Sequence, residues 1–359
     1  MELDELRKQI DEIDSQIVRL LNERYKAVIE VGNWKKGRKS AIYVPEREKT
    51  VLDRLSRMNA GPMSDSTLRA VYREIMSGAL SLEYPLRVAF LGPEATYTHL
   101  AAMSKFGRSV GYIPKPNTED VFREVSEGRA DYGCIPVENS TEGVVNNTLD
   151  MFIRNSGVTI CSEINMRVRH SLLSTVKISN IRKIYAHAQT LSQCRCWLHE
   201  NLPMAELIET SSNTKAAEMA SLDEHAAAIA STLAAEVYSL DVLCTDIEDN
   251  AANTTRFLVI AKGQDFSKPT GSDKTGLCFS IKDRIGALYD SLLPFKENGI
   301  TLTMIESRPS KQKNWEYVFF IDLLGHISDP PVQKALGMLK EMTSELRVLG
   351  SYPCGNKAE

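Results

Sequence analysis

Positions at alternating steps of three and four through the first part of the chain are apolar except for Arg24: Leu3, Leu6, Ile10, Ile13, Ile17, Leu20, Arg24, Ala27 and Val31. That is the period of one helix face, and it predicts a long first helix running to about Lys36. At 1.5 Å per residue such a helix is roughly 50 Å long, more than two short following helices can cover, so an intertwined dimer is expected to cover it. The second helix is predicted to follow Pro45 and to end near Asn59-Ala60-Gly61-Pro62. The third starts after a Ser64 or Asp65 cap and runs to Glu83, before Pro85.

From Arg87 the texture changes. Short apolar runs (Val88–Leu91, Tyr132–Val137, Ile184–His187, Ala227–Ala230, Phe257–Ile260) alternate with helical stretches, the pattern of parallel α/β sheets. These units fall before and after roughly Ile164, which suggests two lobes with a cleft between them. A polar stretch, Gly263–Lys274, then sets off a last region reading strand, helix, strand, strand, helix, strand, a ferredoxin-like order. The fold class expected is therefore multidomain: an all-α three-helix domain over 1–84, a two-lobed α/β domain over 86–262 and an α+β ferredoxin-like domain over 274–353.

Composition narrows the partners. With 359 residues, 25% charged, 43% hydrophobic and a net charge of -4, the chain has ample material for several cores and no electrostatic footprint for nucleic acid or a membrane surface. Its seven cysteines include no CxxC pair and no zinc-ligand spacing, so reduced thiols and no metal are expected. The start, MELDELRKQIDEID, is too charged for a signal-peptide core, and no apolar run approaches the roughly 18 residues that span a bilayer, so a cytoplasmic location is expected.

Arg24 occupies a slot of the first helix where its neighbours in the stripe are apolar, and a guanidinium there needs an anion. Lys35, eleven residues on, lies only about 20° away around the helix, so the two cations face one side and suit a dicarboxylate. The bland alternative is a snorkelling Arg24 beside a solvated cluster of Lys35, Lys36, Arg38 and Lys39. Arg7 sits about 100° away from Arg24, so one compact ligand reaches both only if a second copy of the helix supplies Arg7. Arg47 and Glu48 open the second helix, and Glu83 continues the Ile75, Ala79 stripe of the third.

These positions resemble the all-helical chorismate mutases, matched at Arg7, Arg24, Lys35, Arg47, Glu48 and Glu83. The resemblance implies a pericyclic rearrangement of chorismate to prephenate without nucleophile or cofactor. Arginines would clamp two carboxylates, and donors such as Lys35 would meet the charge developing on the ether oxygen. Val44 and Ala79 stand where relatives often carry polar groups. Glu83 stands where many carry Gln, and a carboxyl donates to the ether oxygen only when protonated.

Five segments of the middle region place hydroxyl and amide residues just after apolar runs: LGPEATYT (with Thr96), PVENSTEG (Asn139, Ser140, Thr141), AHAQTLSQC (Gln189), SSNTKAA (Ser212, Asn213) and NTTRF (Thr255, Arg256, Phe257). Strand ends of this kind line ligand clefts, although caps and turns use the same residues. Together and in this order they resemble prephenate dehydratase. The resemblance implies conversion of prephenate to phenylpyruvate, with Thr255 as acid or hydrogen-bond donor to the departing hydroxyl and Arg256 helping to hold the dianion. Ala95 departs from the usual Gly, which bears on the loop conformation.

RIGALYDSL (Gly286, Ala287, Leu288) and IESRPS (Glu306, Ser307, Arg308, Pro309) resemble an ACT regulatory domain, which implies allosteric L-phenylalanine at a subunit interface. The whole order resembles the bifunctional chorismate mutase/prephenate dehydratases, with chorismate and prephenate as substrates, no cofactor, and a homodimer or higher homo-oligomer. Two rival readings fit the residues less well. A fusion to prephenate dehydrogenase lacks any G-x-G turn for a nicotinamide. An amino-acid-sensing binding protein without dehydratase activity leaves Thr255 and the mutase cations without purpose.

Overall fold

A computed structural model describes residues 3–36, 44–263, 266–281, 284–310 and 317–355, except for the side chains of Lys35 and Lys36. The chain divides into two compact units, one of residues 1–87 with 105–111 and one of 88–104 with 112–359.

The first unit has the three expected helices: α1 (Leu3–Lys36), α2 (Pro45–Met58) and α3 (Asp65–Glu83). Pro45 opens α2 at a position where a missing N–H is harmless, and the Ser64 hydroxyl caps α3 by accepting from Thr67 N at 3.1 Å. The stripe that predicted α1 stays in solvent: Leu3, Leu6, Ile10, Ile13, Ile17, Leu20 and Val31 are all exposed.

The second unit begins with a lobe of β1 (Arg87–Leu91), α4 (Tyr97–Phe106, whose end belongs to the first unit), β2 (Gly111–Lys115), α5 (Thr118–Ser126), β3 (Tyr132–Asn139), β4 (Gly143–Val144), α6 (Asn146–Arg154) and β5 (Val158–Arg167). The chain crosses into a second lobe of β6 (Ser171–Ser174), β7 (Lys183–His187), α7 (Ala188–Gln193), α8 (Arg195–Asn201), β8 (Glu206–Thr210), α9 (Asn213–Ala220), β9 (Ala226–Ala230), α10 (Thr232–Tyr238) and β10 (Asp241–Cys244). It returns through β11 (Thr254–Lys262) and ends in β12 (Asp273–Ile281), α11 (Ala287–Glu297), β13 (Leu302–Pro309), β14 (Tyr317–Leu324), α12 (Pro330–Met342) and β15 (Thr343–Pro353).

The lobes hold sheets ordered β2-β1-β3-β11-β5, with β4 beside β3, and β10-β6-β9-β7-β8. They are mixed, not purely parallel as the apolar runs suggested. β1 runs parallel to β3, but β11 is antiparallel to both neighbours because it is the returning half of the double crossing between lobes. Buried strands of either sense read as continuous apolar runs, so the pattern could not separate them.

The C-terminal β12-α11-β13-β14-α12-β15 has the ferredoxin-like order, in a sheet β13-β14-β12-β15. It does not form a core of its own on both faces. Leu277, Phe279, Ile321 and Leu323 pack with Phe295, Val332 and Leu339 of its helices. Cys278, Phe320, Leu349 and Tyr352 share a core with Ile135, Leu149, Phe152 and Ile160 of the first lobe. At Gly350 the sheets approach so closely that a Cβ would overlap the Ile160 carbonyl. Backbone cannot yield as a flexible side chain would, so Gly350→Ala is expected to destabilise the second unit by about 1–3 kcal/mol in urea unfolding, the range for overpacked cores. A midpoint equal to wild type would show that the sheets are not locked there. The same shared core means that the last sheet is packed on the first lobe and is not independent of it.

Candidate active sites

In the first unit α1 carries Arg24, whose Nη1 is buried with no hydrogen-bond partner among the described residues. An unsatisfied guanidinium N–H out of water is costly, and an anion is its natural complement. Two turns on, Gly32 lets α3 close in: a Cβ there would lie 2.6 Å from Cγ of Glu83, which is buried. Gly32 was not singled out from sequence, although a glycine in a long helix interior, disfavoured by about 1 kcal/mol relative to alanine, was a visible signal. Arg24, Gly32 and Lys35 fall within about 80° of one another around α1, so Glu83 packs on the cationic side. The Lys35 side chain lies outside the described residues.

Glu48 on α2 is mostly buried and pairs with Lys105 Nζ at 3.1 Å, a partner the sequence did not point to. Arg47 is exposed, and so is Arg7, whose pair with Asp4 at 3.5 Å between solvated side chains contributes little. Nothing in one copy brings Arg7 round to the face of Arg24, as the helix arithmetic required. Val44 caps α2 without a side-chain bond and Ala79 is buried, so neither adds a polar group to this face.

The second unit assembles its amides and hydroxyls where β3 ends beside the start of the antiparallel β11. Asn139 Nδ2 donates to Thr255 Oγ1 at 2.8 Å and to Asn253 Oδ1 at 2.9 Å, which uses both of its hydrogens. Its Oδ1 accepts from the backbone N–H groups of Thr141 and Glu142, at 2.9 and 3.1 Å, and holds the STEG turn. Ser140 N donates to Thr254 O at 2.9 Å, and Ser140 Oγ accepts from Thr254 N at 3.0 Å. Thr255 Oγ1 thus accepts from an amide while no described group takes its own proton. A hydroxyl that accepts one hydrogen bond is a stronger donor of the next.

The Glu94–Thr96 loop is gripped by the second lobe: Thr214 Oγ1 donates to Glu94 O at 3.1 Å and Ser231 Oγ to Ala95 O at 2.9 Å. Ala95 adopts φ 63, the left-handed conformation a glycine takes more easily, so the departure from Gly keeps the loop shape at some strain. Thr96 is engaged structurally, donating to Leu91 O and accepting from His99 N. On the second lobe Asn213 joins the ends of β7 and β8, accepting from His187 N at 3.0 Å and donating to Thr190 Oγ1 at 2.8 Å. Ser212 caps α9 by accepting from Lys215 N, and Gln189 is half-buried in the first turn of α7.

Two side chains expected to contact a ligand, Arg256 and Phe257, are taken up inside the protein. Successive strand residues point to opposite faces, so Arg256 turns away from Thr255. Its guanidinium is buried against Glu163, Asp322 and Tyr352, which leaves it unavailable as a clamp for a dianion in the cleft. Phe257 lies on the Thr255 side of the strand but is a fully buried core side chain, out of a ligand's reach.

At the crossing between lobes sits a cluster sequence reading missed. His170, fully buried, bonds through Nδ1 to the Tyr97 hydroxyl and through Nε2 to Gln193 Oε1, both at 2.8 Å, while its backbone N–H donates to Glu248. Burial outweighs Gln193 and Glu248 and lowers its pKa.

In the C-terminal domain a cavity of about 560 Å³ is lined by Ile281, Arg284, Gly286, Ala287, Leu288, Tyr289, Tyr317 and Phe319. Gly286 (φ 76) precedes α11, so the first N–H groups of that helix open toward this region. None of Glu306, Ser307, Arg308 or Pro309 lines the cavity. They lie on the edge strand β13, where Arg308 is held by Asp150 at 3.0 Å, while Ser307 and Pro309 are exposed. Among the described residues no cluster of His, Cys, Asp and Glu could hold a metal ion, and no helix is long and apolar enough to cross a membrane.

A family model for prephenate dehydratase matches residues 88–265, and one for type II chorismate mutase matches residues 6–84. The bifunctional chorismate mutase/prephenate dehydratase of Aquifex aeolicus (strain VF5) is 51% identical over 357 residues, covering 98% of each chain. That of Stutzerimonas stutzeri is 44% identical over 359 residues, again with 98% of each chain covered. Among solved structures, a prephenate dehydratase from Arthrobacter aurescens in complex with L-Phe superposes with a TM-score of 0.70 at 34% identity, over 75% of this chain and 90% of that one.

Proposed function

The chain belongs to the family of bifunctional chorismate mutase/prephenate dehydratases, and from that premise we propose which of its residues do the work and what regulates them. It rearranges chorismate to prephenate and converts prephenate to phenylpyruvate. We assign the first reaction to residues 1–84 and the second to 86–262, with an ACT domain over 274–353.

For the mutase, Arg24 clamps a substrate carboxylate, Lys35 donates to the ether oxygen as its bond breaks with Glu83 beside it, and Arg47 and Glu48 complete the polar lining. A second copy contributes Arg7. The buried, unpartnered Arg24 Nη1 supports the anion site, and the exposed α1 stripe supports the dimer. For the dehydratase, the bond from the ring to the carboxylate breaks and its electron pair enters the ring as the hydroxyl departs. Thr255 donates a hydrogen bond to that oxygen as negative charge grows on it. The single observation that carries this role is the Asn139 amide bonded to Thr255 Oγ1, which aims the hydroxyl proton outward. Thr96, Ser140, Thr141, Gln189, Ser212 and Asn213 line the substrate site around it.

The C-terminal cavity takes L-phenylalanine: its ring against Ile281, Leu288 and Phe319, its carboxylate at the N-terminus of α11. The L-Phe complex of the similar Arthrobacter enzyme supports this. The motif Glu306–Pro309, absent from the cavity of one copy, would meet the effector from the facing copy across β13, whose Ile305 is exposed. Two measurements test the whole reading. The intact chain must consume chorismate and form phenylpyruvate. Calorimetry must show phenylalanine binding that Gly286→Val abolishes, because Val is strained at φ 76. Binding that survives this substitution would reduce the domain to a dimerisation module.

A further inference from the structure

The strongest unassigned feature of the molecule is the buried ion cluster behind Thr255. Arg256 Nε donates to Glu163 Oε2 at 2.7 Å, its Nη1 lies 2.5 Å from Asp322 Oδ2, and its Nη2 donates to the Tyr352 hydroxyl at 3.1 Å. Lys274 Nζ reaches the same Glu163 oxygen at 2.8 Å, and Gly355 N donates to the other at 2.9 Å. Arg256 is 8% exposed, Glu163 and Asp322 4% each, and Tyr352 fully buried. The half-exposed Glu138 is a further carboxylate nearby, 3.8 Å from Arg256.

The charges balance, and they balance across two sheets. The dehydratase sheet supplies one cation and one anion, Arg256 on β11 and Glu163 on β5. The C-terminal sheet supplies the other two, Lys274 on β12 and Asp322 on β14. Withdrawing any one leaves a buried charge uncompensated, so the cluster is indifferent neither to the position of the C-terminal sheet nor to that of β11. Burial works against the Glu163 carboxylate, but Arg256 and Lys274 prevail and hold it below the usual carboxylate range.

Two features connect the cluster to chemistry. On one side, Arg256 adjoins Thr255, and the register of β11 against β3 shifts between Arg256 and Phe257. Such an irregularity re-aims the strand beside it, and the anchored guanidinium fixes where it falls. On the other side, β14 carries Tyr317 and Phe319 in the cavity wall and Asp322 in the cluster, three residues or about 10 Å further along the strand.

We propose that the Arg256–Glu163–Asp322–Lys274 cluster, completed by Tyr352, is the device through which the C-terminal sheet sets the position of Thr255. Arg256 is a positioning residue of the dehydratase, and Asp322 is its link to the effector cavity. This rests on the reading of Thr255 as donor and of phenylalanine as effector.

The test uses the full-length enzyme with Asp322→Asn, Asp322→Glu and Tyr352→Phe, the last removing one hydroxyl while keeping the ring in the core. In the Asn and Phe variants dehydratase kcat should fall about tenfold with prephenate KM nearly unchanged, the mark of a contact felt in the transition state, and Asp322→Glu should recover part of the loss. Mutase activity should stay at the wild-type level. Calorimetry should give the wild-type phenylalanine affinity, while inhibition of the dehydratase weakens at least about tenfold, because the coupling and not the site is broken. If Asp322→Asn fails to fold, Tyr352→Phe decides alone. Wild-type kcat and wild-type inhibition in Tyr352→Phe, or a rise in KM without a fall in kcat, would overturn the proposal. Failure of phenylalanine to bind the wild-type chain would sink the effector reading instead, and the kcat and KM split would still decide whether Asp322 positions Thr255.

Discussion

Arg24→Ala should abolish the mutase reaction while the same enzyme dehydrates added prephenate at close to the wild-type rate. The expected loss is about 10² or more in kcat/KM, the range for letting a substrate slip from its reactive geometry when the clamp that orients it is removed. Among the described residues Arg24 Nη1 is buried without a hydrogen-bond partner, so an arriving carboxylate meets a free donor there. Alanine removes that donor and leaves the carboxylate without its clamp. Dehydration survives because Thr255 and its amide network belong to the other compact unit. Equal loss of both activities would mean that Arg24 holds the chain together instead of holding substrate. The helix arithmetic extends the test to Arg7. An Arg7→Ala chain keeps its Arg24 and an Arg24→Ala chain keeps its Arg7, so a heterodimer rebuilds one complete site from two inactive chains. Verified heterodimers without recovered activity would rule out a shared site.

The stripe and caps of the first helices were fully legible because each signal was local: Pro45, Ser64 and the period of α1 specify elements without reference to the rest of the molecule. What could not be read was which face a motif residue serves. NTTRF was one motif in the sequence, yet strand geometry sends Thr255 to the amide network and Arg256 to a cluster whose other members lie 93 and 66 residues away, at Glu163 and Asp322. No spacing rule links those positions. The ESRP motif was likewise found but not placed, since Arg308 goes to Asp150 of the first lobe. By contrast, the sharing of one core between the last sheet and the first lobe had left a trace. The run Leu277-Cys278-Phe279 is apolar on both faces, which a sheet with helices on one side and solvent on the other does not require.

Thr255→Ala should lower dehydratase kcat by about two to three orders of magnitude and leave prephenate KM within a few-fold, because the hydroxyl is asked to act on charge that exists only as the bond breaks. In the ground state the departing group is a neutral hydroxyl that water solvates as well as a threonine does. In the transition state it approaches hydroxide, and a donor already polarised by Asn139 at 2.8 Å meets it without reorganisation. Thr255→Ser keeps the oxygen and should retain most of the rate. Asn139→Ala should fall between them, since it leaves the donor but frees it to rotate and loosens the turn that Asn139 Oδ1 holds through Thr141 and Glu142. The order Ser, Asn139 variant, Ala in kcat is the specific expectation. A loss confined to KM in Thr255→Ala would make Thr255 a binding residue, and the proton for the departing hydroxyl would then have to come from substrate or solvent.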